Sequence, residues 1–116
     1  MNKKIILTVI SAIYLIILFI GAFAVNLGTS DSVPGSDKGL HFIGFLILTL
    51  LLIFTFKGYT KKRVYLKSLI VAIIIGIIIE VAQLFIPART FSWYDIVADL
   101  GGIFLAMVLA WMLSKR

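Results

Sequence analysis

Four long, predominantly apolar runs dominate the chain: Ile5 to Val25, Leu40 to Phe56, Leu66 to Ile86 and Ile96 to Leu113. Each is about 17–21 residues, and at about 1.5 Å of rise per residue such a run crosses a hydrocarbon core of about 30 Å. No run offers water a polar face, which excludes a soluble bundle. A β-barrel would alternate apolar and polar residues, whereas residues 73–79 read Ile-Ile-Ile-Gly-Ile-Ile-Ile. The expected fold is therefore all-α, a polytopic four-helix transmembrane bundle in which residues 1–116 form a single membrane domain.

Charge sets the expected orientation. Of the 11 basic residues, Lys3, Lys4, Lys57, Lys61, Lys62, Arg63, Lys67, Lys115 and Arg116 fall on one side of these runs, and Lys38 and Arg89 on the other. By the positive-inside rule both termini are cytoplasmic. Clustered at loop ends, the positive charge acts as an insertion signal and an anionic-lipid contact, so nucleic acid is not the expected partner. Lys3-Lys4, the apolar run and Ala22-Phe23-Ala24 also resemble a signal peptide with its cleavage site. The run is longer than a usual signal core, and a retained span is expected. With no cysteine in the chain, thiolate nucleophiles, disulfides and zinc-thiolate sites are excluded.

All five acids, by contrast, fall on the extracytoplasmic side: Asp31 and Asp37 in the first outer loop, Glu80 in the third span, and Asp95 and Asp99 opening the fourth. His41, Gln83, Lys38 and Arg89 lie at the same level. With the span ending at Ile86, Glu80 sits about 9 Å inside it, where a carboxylate costs up to about 3 kcal/mol and should face the bundle interior. Gly76, Glu80 and Gln83 share one helix face. Asp95, Asp99, Gly102, Ala106 and Ala110 form a second stripe, acidic above and small below, suited to helix packing, with Ser92 to Asp95 resembling a capping box. Asp37 can cap the second helix and, one turn from His41, orient its imidazole. Asp-x3-His-x2-Gly (37, 41, 44) is echoed by Asp-x3-Asp-x2-Gly (95, 99, 102), as a parallel repeat would produce. Phe91, Trp93 and Tyr94 suit the head-group level.

These blocks resemble the VanZ-like family in order and spacing: Asp37 to Phe45, Gly76 to Gln83, Pro87 to Ile96, and Gly101-Gly102. One departure is Asp99, near which the family usually carries Asn. The resemblance implies a bacterial multi-pass cell-membrane protein tied to the cell envelope, with a link to resistance to the glycopeptide teicoplanin. It implies no particular reaction.

Three functions compete on this reading. The first is an extracytoplasmic polar site for an anionic lipid or envelope-precursor head group, bound by Lys38, Gln83, Arg89, Asp95 and Asp99 where two helix N-termini converge. The second is a membrane-embedded enzyme acting on such a head group, with catalytic His41, Asp37 and Glu80. One imidazole and three carboxylates would suit a divalent cation such as Mg or Mn. No His-Glu-x-x-His, Gly-x-Ser-x-Gly or phosphate loop supports catalysis. The third is a small proton-coupled transporter, disfavoured because the inner half of the spans carries no carboxylate or histidine.

Overall fold

The structure, a computed structural model, describes residues 2–24, 36–85 and 93–114. It comprises four helices, α1 (Lys3–Ala24), α2 (Ser36–Tyr59), α3 (Val64–Gln83) and α4 (Trp93–Ser114), with no strand among the described residues. All four are long and apolar enough to cross a membrane. The long axis of the molecule, 43 Å, matches a bilayer with its head-group layers, about 40–45 Å.

Three helices outrun the apolar windows. Ser36 to Lys38 already lie in α2, and Lys57 to Tyr59 extend its other end, because a polar first or last turn still keeps its backbone bonds within the helix. The exception is α3, which ends at Gln83 rather than Ile86 and passes into a turn at Leu84 and Phe85. Glu80 therefore sits about 4.5 Å, one turn, from the last helical residue, shallower than the apolar run suggested.

Residues 60–63 turn α2 back into α3. The Thr60 hydroxyl accepts from the Lys62 N–H at 3.2 Å, and Arg63 takes a left-handed conformation (φ 53°) before α3 starts. So short a link makes the two helices antiparallel neighbours. Pairwise contacts fix the rest. Lys4 abuts Gly58, and Leu18 and Tyr14 abut Gly44, so α1 runs antiparallel to α2. His41 meets Asp99 and Phe42 meets Gly101 and Gly102, so α4 runs parallel to α2, and this is the most extensive helix pair.

That pairing depends on the small stripe of α4. Gly102, Ala106 and Ala110 are buried, and a Cβ at Gly102 would overlap the Phe42 carbonyl oxygen and sit 3.0 Å from the Leu46 nitrogen. Only glycine lets the two backbones come this close, the usual solution where lipid supplies no hydrophobic drive for association. The stripe therefore closes the core of a single chain. Phe45, Leu48, Ala72, Ile75, Ile79 and Ile103 fill that core, with Ile53, Val64 and Ala110 packed below.

By contrast, α1 is peripheral. No residue of its apolar window is fully buried, and Ile13, Ile16, Ile17 and Ile20 stand more than half exposed, as lipid-facing side chains do. Interhelical hydrogen bonds fasten it to α2: Tyr14 donates to the Gly44 carbonyl at 2.7 Å, while Ser11 and Thr55, and Thr8 and Tyr59, pair at 2.9 Å. In bilayers such bonds contribute about 0.6 kcal/mol each, up to about 1.7.

Candidate functional site: a histidine–carboxylate cluster between three helices

Four of the residues singled out in the sequence meet at the end of the bundle where α2 and α4 begin. His41 comes from the second turn of α2, Glu80 from the last turn of α3, Asp95 from the first turn of α4 and Asp99 from one turn further along it. Each is placed by its helix. Asp95 and Asp99 head the small-residue stripe that Gly102 presses onto α2, so their side chains are carried to His41, one residue before Phe42. Across α3, Gly76 lies one turn from Glu80 on the same face, and a Cβ there would stand 3.4 Å from both Asp99 Oδ2 and the Phe45 ring. Its missing side chain lets Asp99 lie against α3 while bonding α2.

The geometry at the imidazole is specific. His41 Nδ1 and Asp99 Oδ1 are hydrogen-bonded at 2.8 Å; with Asp99 ionised, Nδ1 is the donor and carries a ring proton. Nε2 then points to Asp95, whose Oδ2 lies 3.9 Å away, beyond hydrogen-bond reach. Ligand-capable atoms of His41, Glu80 and Asp95 all lie within 4.8 Å of one another. The cluster is shut off from its surroundings: Glu80 is 3%, Asp95 0% and Asp99 4% exposed, and the His41 side chain 10%. Three carboxylates and one imidazole in so dry a space carry a large negative charge if ionised, a costly arrangement unless protons or a cation offset it.

The remaining sequence candidates fall outside this description. The side chains of Asp37, Lys38 and Gln83, and Arg89 as a whole, lie outside the described residues, as do Asp31, Phe91 and Ser92. The orienting contact expected of Asp37 lies outside the described residues; among the described residues His41 Nδ1 is met by Asp99, 58 positions along the chain. That pairing has a sequence trace, since His41 and Asp99 are the middle positions of the two Asp-x3-(His/Asp)-x2-Gly segments. Trp93 and Tyr94 are 71% and 72% exposed, in keeping with a head-group position. Phe45 lies beside the cluster, its ring and Asp99 Oδ2 both standing about 3.4 Å from where a Gly76 Cβ would be, and Phe42 packs on Gly101. Each of these rings directly follows a residue of the Asp-x3-His-x2-Gly segment, His41 and Gly44.

Fold and cluster together define a multi-pass helical membrane protein with a buried polar site near one end of its bundle. Residues 3–114 match the VanZ/LLP1 family, nearly the whole chain, and the protein belongs to that family. It is also similar to an uncharacterized protein, C11E3.10, of the fission yeast Schizosaccharomyces pombe, with 34% identity over 105 residues, 90% of this chain. The chain spans 64% of that relative's length. No solved structure matches.

Proposed function

We propose that the protein binds the anionic head group of a membrane lipid or lipid-linked envelope precursor, at a polar site on the extracytoplasmic side of the membrane. The observation that carries this reading is the convergence of His41, Glu80, Asp95 and Asp99 from three helices at one end of the bundle. Polar residues held inside a membrane bundle at such a cost mark a ligand site rather than a scaffold. The positive-inside distribution supports an extracytoplasmic position, because the basic turn Lys61-Lys62-Arg63 lies at the opposite end. Support for an anionic ligand comes from Lys38 and Arg89, which the sequence places near the starts of α2 and α4, and from the positive ends of those two helices. A fission yeast relative favours a chemistry common to all membranes, a phospholipid head group, over a precursor confined to one type of wall, and so weakens any link to glycopeptide resistance.

The test is retention of anionic phospholipid by the purified protein, measured by native mass spectrometry. Arg89→Ala and Glu80→Gln are expected to lose the bound lipid while inserting and folding normally. Wild-type retention in Glu80→Gln removes the proposal.

A second reading, an enzyme acting on the same head group, is favoured by one observation. A buried histidine with its Nδ1 held by a carboxylate is oriented as a general base is. Release of head group or water-soluble phosphate from labelled lipid in proteoliposomes, lost in His41→Gln, would establish it.

A further inference from the structure

We propose that His41 Nε2, a Glu80 carboxylate oxygen and an Asp95 carboxylate oxygen together hold one divalent cation. Two independent observations lead there. The first is spacing. Ligands about 2.0–2.2 Å from a shared ion stand about 3–4 Å apart, and the 3.9 Å between His41 Nε2 and Asp95 Oδ2 falls in that range while being too long for a hydrogen bond. One ring nitrogen of His41 and one carboxylate oxygen each of Glu80 and Asp95 lie within 4.8 Å of one another, so closing on an ion needs side-chain shifts of about 1 Å.

The second observation is the state of the imidazole. Its side chain is nine-tenths buried, Nδ1 is committed to Asp99 at 2.8 Å, and Nε2 is left facing the Asp95 carboxylate. A carboxylate behind a histidine fixes the tautomer and ring orientation and raises the basicity of the free nitrogen, the arrangement found behind metal-ligating histidines. Asp99 is on this account a positioning residue, not a ligand.

One imidazole nitrogen and two carboxylate oxygens suit a borderline or hard ion such as Mn²⁺ or Zn²⁺. Three protein ligands also leave coordination positions open. Resting on the head-group reading above, those positions would take anionic oxygens of the phosphate, which explains how a cluster rich in carboxylates can face an anionic ligand.

The experiment titrates Mn²⁺ into the full chain, purified in detergent with a histidine-free tag and stripped with EDTA, and follows free ion by electron paramagnetic resonance. One ion per chain is expected. Glu80→Gln, Asp95→Asn and His41→Gln should each weaken it at least 100-fold, Asp99→Asn about 10–100-fold, and Lys62→Ala at the opposite end not at all. Because the chain has a single histidine, ¹⁴N modulation from a coordinated imidazole in the pulsed spectrum must come from His41. It should persist in Asp99→Asn and vanish in His41→Gln, with circular dichroism confirming that each variant is folded. No stoichiometric Mn²⁺ or Zn²⁺ on the wild type, or affinity unchanged in Glu80→Gln and Asp95→Asn, overturns the proposal. The two readings separate with lipid present. Retention of phosphatidic acid that survives EDTA removes the cation's role and leaves the head-group site, whereas stoichiometric Mn²⁺ without lipid or inorganic phosphate binding leaves the cation site alone.

Discussion

Gly102→Ala is the smallest change that should move the whole site. The added Cβ would overlap the Phe42 carbonyl oxygen and lie 3.0 Å from the Leu46 nitrogen and 3.2 Å from the Phe42 carbonyl carbon. All three are backbone atoms of α2 and no rotamer change relieves them. Restoring ordinary contact distances of about 3.5 Å requires α4 to move off α2 by about 1 Å. Overpacking costs about 1–3 kcal/mol, here at the upper end because the overlapped atoms are backbone, and an offset of up to about 1 kcal/mol because alanine is the better helix former leaves a net loss of about 2 kcal/mol. The same shift acts on the cluster, because Asp99 lies three residues before Gly102 and His41 one before Phe42. Their 2.8 Å contact stretched by about 1 Å is no longer a hydrogen bond. Gly21→Ala is the control, since its Cβ would meet nothing within 4 Å. Thermal unfolding in detergent, followed by circular dichroism, should show Gly102→Ala clearly less stable than wild type and Gly21→Ala equal or more stable. A Gly102→Ala protein of wild-type stability would falsify the close α2–α4 packing and the reasoning built on it.

Other expectations follow from single contacts. The Thr49 hydroxyl is fully buried with no hydrogen-bond partner, so Thr49→Val, which keeps the shape, should raise stability by about 1 kcal/mol; a loss of similar size in the same unfolding assay would show that the hydroxyl is satisfied. Tyr14→Phe removes the bond to the Gly44 carbonyl and should cost about 0.6–1.7 kcal/mol, and its cost should be absorbed in a double variant lacking the rest of the α1–α2 contact. Metal ligands must be deprotonated to bind, so Mn²⁺ affinity should fall as pH is lowered, with protons released on binding in a calorimetric titration. A pH-independent affinity would contradict carboxylate and imidazole ligands.

Much of this was visible in the chain itself, and the physical reasons differ by feature. Four spans follow directly from apolar length, because lipid admits few ways of satisfying a backbone. The burial of Glu80 follows from the cost of a charge facing acyl chains, and that of Gly102, Ala106 and Ala110 from their size. Which helix each face meets was not legible. A helical stripe gives a direction on its own wheel but no partner, so the small face of α4 was as compatible with a second copy as with α2. The His41–Asp99 contact was hidden for the same reason: Asp37, one turn away in sequence, was the local candidate, while Asp99 reaches the imidazole only through the close packing at Gly102 and the gap at Gly76. Helix ends were misjudged where polar residues such as Ser36 and Lys57 continue a helix that hydropathy stops counting.

The central claim is that three helices deliver their polar side chains to one point, and cadmium bridging tests it most directly. The chain has no native cysteine, so an introduced cysteine reports without background. Asp95→Cys should bind one Cd²⁺ tightly and show thiolate-to-metal charge-transfer absorption, because its Sγ falls near the Cγ it replaces and His41 and Glu80 remain to share the ion. The band should be lost or weakened at equimolar ion when His41→Gln or Glu80→Gln is added, and absent in Lys61→Cys, beyond the far end of α2. An Asp95→Cys protein that binds no Cd²⁺, or whose binding is unchanged by His41→Gln and Glu80→Gln, would show that these residues do not converge.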